Sequence, residues 1–300
     1  MSPDRIRVHV DGRELELSNL DKVLYPVSGF TKGEVIDYYS RVAGTLLPHL
    51  RDRALTRIRY PNGVTAQGFF EKNAPAGTPP WVRVERLPSP GSSMGREELD
   101  YIVVEELPTL VWLANLAALE LHTPQWRVGT WCPDLMVVDL DPGPPAGLPE
   151  CCEVALVMRD RLAMDGLTAY PKTSGRKGMQ LACPLAGEQS AEVVSGYAKR
   201  VAEQIEQAVP KLVTSRMAKR LRPGKVFIDW SQNNAAKTTV APYSLRAQPV
   251  PTVSAPLTWD EVEEADFAAE DFGPAVVLER IEEYGDLLAG LCEPGPRVPS

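Results

Sequence analysis

The chain has 300 residues, 44% of them hydrophobic and 24% charged, with a formal net charge of -8. That content suits a folded core of one large domain or two small ones and excludes a disordered chain, while the negative total argues against a protein that coats nucleic acid indiscriminately. Five cysteines without a C-x-x-C spacing support neither a disulfide framework nor a zinc site, and neither an apolar leader nor a bilayer-spanning stretch is present, so a cytoplasmic protein with reduced thiols and no membrane contact is expected.

Residues 5–17 alternate apolar and polar side chains about Asp11-Gly12 and predict a hairpin, with His9 on its polar side. Thr31-Lys32-Gly33-Glu34 is a capping-box pattern, and Val35, Tyr38, Val42 and Leu46 follow at helical spacing as far as Pro48. Lys22 and Lys32 flank the turn around Tyr25-Pro26, where they could hold a phosphate. Basic runs at 51–59 and 211–225 in an otherwise acidic chain shift the expectation toward a groove for a polyanion. Within 57–72 the adjacent Phe69 and Phe70 suit a stacking platform for bases if their rings are exposed, or core packing if they are not. Residues 74–95, rich in proline, predict a long irregular connection, and 108–120 predict an apolar helix that ends shortly before His122.

From residue 135 the order becomes informative. LMVVDLDP predicts a strand over 135–141 that puts Asp139 and Asp141 on one face, ended at its rim by the following Gly and Pro residues. Two carboxylates at that spacing repel each other and suit a hard divalent cation. A helix carrying Cys151, Val154, Met158 and Leu162 follows, then strands over 167–173 and 179–184, a helix over 190–209, and a strand over 225–230 that ends in Asp229-Trp230. This is a β-α-β-β-α-β order, and the fold class is α+β with a ferredoxin-like, RRM-like catalytic core of the kind polymerase palms use. A further strand at 237–245, a capped acidic helix from Thr258, a last helix over 274–288 and a frayed tail complete the chain.

Between the second and third strands of that unit, Thr173-Ser174-Gly175-Arg176-Lys177-Gly178 combines glycines, cations and a hydroxyl as an anion-holding turn needs, without being a Walker loop. Val226-Phe227-Ile228 again drives apolar residues into a terminal carboxylate, Asp229, whose distance from Asp139 the sequence leaves open. Three aspartates beside a phosphate-holding turn are the parts two-metal phosphoryl transfer requires.

The stretches LSNLDKVLYP, FTKGEVIDYY, RYPNGV with GFFEK, LHTPQWR, VVDLDPG, TSGRKGMQL, KVFIDWSQNN and KTTVAPYSLR span nearly the whole chain. Together they resemble the archaeo-eukaryotic primase superfamily, and within it the polymerase domain of bacterial ligase D and its stand-alone relatives in non-homologous end joining. The resemblance implies one primase-polymerase domain over 1–290, with a DNA-end-binding α/β part at 1–130, a palm at 131–255, C-terminal helices at 256–290 and a flexible tail at 291–300. It implies Asp139, Asp141 and Asp229 as carboxylates for two Mn2+ or Mg2+ ions, and Ser174 and Lys177 on the phosphates of a bound NTP or dNTP. Lys237, Arg246 and His122 would lie on the nucleotide side, Lys22 and Lys32 would take the 5'-phosphate of a DNA end, and Phe69 and Phe70 would meet template bases. Where the family carries a histidine after the phosphate turn, this chain has Gln180, which cannot become cationic, and Arg176 is expected to compensate in part.

The activity implied is metal-dependent, DNA-directed nucleotide addition at breaks, ribonucleotides included, in a nucleoid-associated cytoplasmic setting. Ku and a separately encoded ATP-dependent ligase are the implied partners, since the chain shows no ligase lysine motif in context and no room for another catalytic domain. The rival expectations are an end-binding or synapsis module whose polymerase activity has decayed at Gln180, and, behind it, a primase that starts chains without a primer.

Overall fold

A computed structural model describes residues 5–89 and 97–299. Strands β1 (Arg5–Val10) and β2 (Arg13–Ser18) form the expected hairpin, its turn residues Asp11 and Gly12 both at positive φ, as a two-residue connection requires. After the small hairpin of β3 (Val23–Tyr25) and β4 (Phe30–Thr31), helix α1 (Lys32–Leu50) opens on the capping box: Thr31 Oγ1 accepts from Glu34 N at 3.3 Å, and Glu34 accepts from Thr31 N at 2.7 Å. The helix runs two residues past Pro48, held by the burial of His49 and Leu50.

Strands β5 (Thr56–Arg59) and β6 (Phe69–Glu71) pair next. The expected irregular connection at 74–95 instead contains β7 (Val84–Pro88), which pairs with β8 (Glu98–Ile102); the end of that predicted stretch lies outside the described residues. A second correction falls on the predicted 108–120 helix. Helix α2 (Leu107–Asn115) stops early, Ala117 turns the chain at φ 57°, and β9 (Ala118–Thr123) runs back against β5. Ala118 to Leu121 are buried on both faces of their strand, so no alternation marked it in the sequence.

The predicted βαββαβ order is present as β10 (Leu135–Pro142), α3 (Leu148–Ala163), β11 (Tyr170–Thr173), β12 (Met179–Pro184), α4 (Ala191–Ala208) and, after the short β13 (Val213–Thr214), β14 (Val226–Asp229). The sheet order is β11-β12-β10-β14-β13. β13 pairs parallel to β14 and covers its outer side, so the strand that ends in Asp229 is interior. Met136, Val138 and Leu140 face the helices and join Val154, Met158, Val194, Val201 and Ile205 in the main core. On the opposite face Val137 and Ala182 are covered by Leu288 and Leu291, which leaves Asp139 and Asp141 uncovered farther along the strand.

The predicted 237–245 strand is two short pieces, β15 (Thr239–Val240) and β16 (Leu245–Arg246), interrupted where Tyr243 adopts φ 63°. β15 joins β9, giving a second sheet of order β15-β9-β5-β6, and β16 pairs with β17 (Thr252–Val253). Helices α5 (Trp259–Glu264), with its Thr258–Glu261 capping box, and α6 (Pro274–Tyr284) close the fold. The tail expected to fray is docked as far as residue 299. Val298 is buried and exchanges hydrogen bonds with Gln189 at 2.8 and 2.9 Å, and Gly295 N donates to Leu185 O at 3.2 Å.

Candidate active site

The site is a row of side chains laid across the larger sheet. The register places Asp139 directly opposite Gln180 on β12 and Asp229 on β14, and Gln180 directly opposite Lys172 on β11. Opposite residues in an antiparallel pair share a face, so Lys172, Gln180, Asp139 and Asp229 project together, with Asp141 two residues on. β14 leaves β10 at this point and its carboxylate caps the next turn, Asp229 Oδ1 accepting from Ser231 N at 3.0 Å and Ser231 Oγ at 2.5 Å. Asn233 then takes over for the departed strand: its amide donates to Val137 O and accepts from Val137 N, both at 2.8 Å.

The three carboxylates have different partners. Asp139 accepts from Gln180 Nε2 at 2.8 Å, while Lys172, buried, donates to Gln180 Oε1 at 2.5 Å and to Ser254 Oγ at 2.6 Å. An ammonium only donates, so Lys172 fixes the Gln180 amide with its NH2 toward Asp139. Burial and then the neighbouring charges of Asp229 and Asp141 push the Asp139 carboxyl up to about 6, against the opposing hydrogen bond from Gln180. Burial and the nearby Arg246 charge lower Lys172 to about 7. Asp141 meets Lys177 Nζ at 2.8 Å and Arg222 Nη1 at 3.3 Å, and Asp229 lies 3.6 Å from Lys237 Nζ.

These groups border an open cleft of about 790 Å3 between the two sheets, lined by Asp139, Asp141, Ser174, Lys177, Gln180, His122 and Arg246 among others. The 174–178 turn is shaped by close approach: a side chain on Gly175 would strike Arg246 Cγ at 2.4 Å, and one on Gly178 would strike Leu140 O at 2.3 Å. Across the cleft, β9 supplies Glu120, a fully buried carboxylate that binds His122 Nε2 at 3.0 Å, Arg176 Nη2 at 2.9 Å and the Ala247 N–H at 3.0 Å, with Arg246 at 3.5 Å. Burial works to raise Glu120, but the hydrogen bond from His122 and the charges of Arg246 and Arg176 overcome it and hold the acid at about 2. Arg176, expected to make up for Gln180, is thus committed to Glu120.

Of the residues singled out in the sequence, eight line this one cleft: Asp139, Asp141, Ser174, Arg176, Lys177, Gln180, His122 and Arg246. Asp229 adjoins it through its pairing with Asp139, and Lys237 stands behind Asp229. Lys22 and Lys32 lie elsewhere, side by side: Lys32 N donates to Lys22 O at 2.8 Å, and the buried Lys32 ammonium is lowered to about 8 by burial and by the charge of Lys22. Phe69 and Phe70 are not core; they stand 51% and 60% exposed on an edge strand of the second sheet. Lys172, Glu120 and Arg222 were missed. Their signal was a charged residue inside an otherwise apolar run for the first two, while Arg222 was hidden among the other cations of the 211–225 run.

The donor chemistry suits hard divalent cations, since burial and then the neighbouring aspartates raise the Asp139 carboxyl, and a cation would relieve both. Among the described residues, however, no three His, Cys, Asp or Glu side chains form a ready cation cage, because Asp141 and Asp229 are turned to Lys177, Arg222, Lys237 and Ser231. Arg246, at the cleft wall, has a buried Nε with no partner among the described residues. No described helix is long and apolar enough to cross a membrane.

Known proteins resemble this chain over most of its length. The family model described as "LigD, primase-polymerase domain" matches residues 31–288. The chain is 46% identical over 285 residues to the multifunctional non-homologous end joining protein LigD of Mycolicibacterium smegmatis, covering 94% of this chain and 36% of that protein. It is 35% identical over 273 residues to the bifunctional LigD of Bacillus subtilis, covering 91% and 43%. The chain therefore spans well under half the length of these relatives. A solved structure, the polymerase domain of Mycobacterium tuberculosis ligase D in complex with DNA, matches with a TM-score of 0.88 and 43% identity over 94% of this chain and 99% of that one. On the sequence match, the shared fold and the aspartate row together, the chain belongs to the LigD primase-polymerase domain family, whose members are nucleotidyltransferases of DNA repair.

Proposed function

We propose that this chain is a metal-dependent, template-directed nucleotidyltransferase that extends DNA 3' ends during double-strand break repair by non-homologous end joining, with ribonucleotides among its substrates. The observation that carries the reading is the apposition of Asp139 and Asp229 on neighbouring strands, with Asp141 beside them, at a cleft that also holds Ser174, Lys177 and Arg246. The strand order β11-β12-β10-β14 supports an RRM-like palm.

Asp139, Asp141 and Asp229 would hold Mn2+ or Mg2+, which when bound supplies Lewis acidity toward the attacking hydroxyl and the departing pyrophosphate. Ser174, Lys177 and Arg246 bind the triphosphate, with Lys237 supporting from behind Asp229, and His122, oriented by Glu120, faces the nucleotide. Gln180 steadies Asp139 instead of adding a positive charge. Lys22 and Lys32 take the 5'-phosphate of a DNA end, and the exposed Phe69 and Phe70 stack on template bases. Ku and an ATP-dependent DNA ligase are the partners this role requires, at the nucleoid.

Extension of a gapped primer whose downstream end carries a 5'-phosphate, measured with manganese and nucleoside triphosphates, tests the reading. Replacing Asp139 and Asp141 together by alanine abolishes incorporation; undiminished incorporation would rule the assignment out. One observation favours a second reading, an end-binding or synapsis module with weakened polymerase activity: Asp139 is held by an amide and Asp141 by two cations. Phosphate-dependent DNA binding by the native protein without any extension would establish it.

A further inference from the structure

A second cleft, of about 580 Å3 and open to solvent, lies beside the first. The two share Thr238 in their walls. They also share a sheet: Val240 and Thr56 both pair with His122, so Val240, His122 and Thr56 form one row on one face. Val240 and His122 border the nucleotide cleft, whereas Thr56, one strand spacing farther on, borders the second. Lys72, the residue after β6, also lines this second cleft.

Its chemistry is specific. Trp126 and Trp131 lie with ring centroids 4.4 Å apart, and the Trp126 indole N–H is already used on Ala235 O at 2.9 Å. Trp131 is 39% exposed, and its backbone is held at φ 56° after Gly129 at φ 93°, a conformation a bulky residue rarely adopts. Thr56 is fully buried, yet its hydroxyl has no partner among the described residues, although it can both donate and accept. Lys72 adds a cation, and among the described residues no acidic side chain lines the cleft. By strand alternation Phe70, 60% exposed, shares a face of β6 with the position of Lys72, so a strand stacked on Phe70 runs toward this cleft.

The geometry points to the second cleft as a slot for one unpaired nucleobase of a single-stranded DNA overhang, next to the templating position. The base stacks on the open face of Trp131, the Thr56 hydroxyl meets its polar edge, and Lys72 neutralises the adjoining phosphate. This rests on the reading of the chain as a DNA-end polymerase.

Binding of 5'-phosphorylated duplexes with a 3' overhang, followed by fluorescence anisotropy while each overhang nucleotide in turn is made abasic, tests the slot. One abasic position weakens binding to the native protein roughly tenfold. Trp131→Ala weakens binding of the intact overhang by a similar factor and becomes indifferent to that abasic position, while any position stacked on Phe70 keeps its effect. Thr56→Val, close in shape, gives a smaller loss at the same position. A flat abasic series in the native protein, or one unchanged in Trp131→Ala, overturns the slot. Removing the 5'-phosphate separates the two readings: if it still weakens binding while the abasic series is flat, only the slot falls, and if neither matters the DNA-end reading falls with it.

Discussion

Strand β10 has acids at both ends, and their surroundings are opposites. Asp134, just before the strand, receives both Nη atoms of the buried Arg53 at 2.7 Å and Arg127 Nε at 2.6 Å. Asp139, inside it, has a neutral amide on one side and a second carboxylate directly opposite. The first acid is fully answered by fixed guanidinium groups and ties the segment after α1 to the loop before β10. The second meets no cation among the described residues and has a like charge facing it. Net charge and acid count do not separate these roles; the partners do.

The contrast can be broken at several points. The largest expected effect is on activity: Asp139→Asn lowers nucleotide incorporation by about 10^3-fold. The same change leaves the thermal midpoint of the metal-free protein unchanged or higher, because it removes a carboxylate whose ionised form burial disfavours. Arg53→Ala does the reverse. Leaving Asp134 without its buried partner costs about 3–5 kcal/mol by denaturant unfolding, and the protein that remains folded keeps its kcat. Loss of activity without loss of stability in that variant would erase the distinction.

A smaller effect belongs to the closed side. His49 Nε2 meets Asp286 at 2.9 Å, and Asp286 also accepts from Tyr243 OH at 2.6 Å. Burial works to lower His49, but the hydrogen bond with Asp286, helped by Cys292, raises it from 6.5 to about 9. A raised folded pKa means that the stabilisation is full below pH 6.5 and is lost as pH climbs through 9. Thermal midpoints therefore fall across that alkaline window in the native protein, and His49→Gln, less stable at neutral pH, shows a flatter profile there. The smallest effect sharpens the open side: Gln180→His, which puts back the residue the resemblance implies there, tightens nucleotide binding by about tenfold, read as a lower KM.

Much of the larger sheet and its helices was legible in the sequence because its signals are local. Period-two apolar runs ending in aspartate, helical spacing in α3 and α4, and glycines in the 174–178 turn each follow from a few neighbouring residues. The β9 strand was not legible, since a segment buried on both faces lacks alternation, and so Glu120 was absorbed into a false helix. The tail was misjudged for a related reason: its anchors, Gln189 and Leu185, lie more than a hundred residues away.

By itself the sequence determined the βαββαβ order of the larger sheet, the face that Asp139 and Asp141 share, the place of the 174–178 turn and the family to which the chain belongs, because spacing along a chain dictates direction within an element. Only the tertiary structure decided that Asp229 lies opposite Asp139, that β13 shields its strand, that Lys172 aims Gln180, and that Arg176 serves Glu120. Those are matters of register between distant segments, and register is set by how whole faces pack, not by the residues on either side.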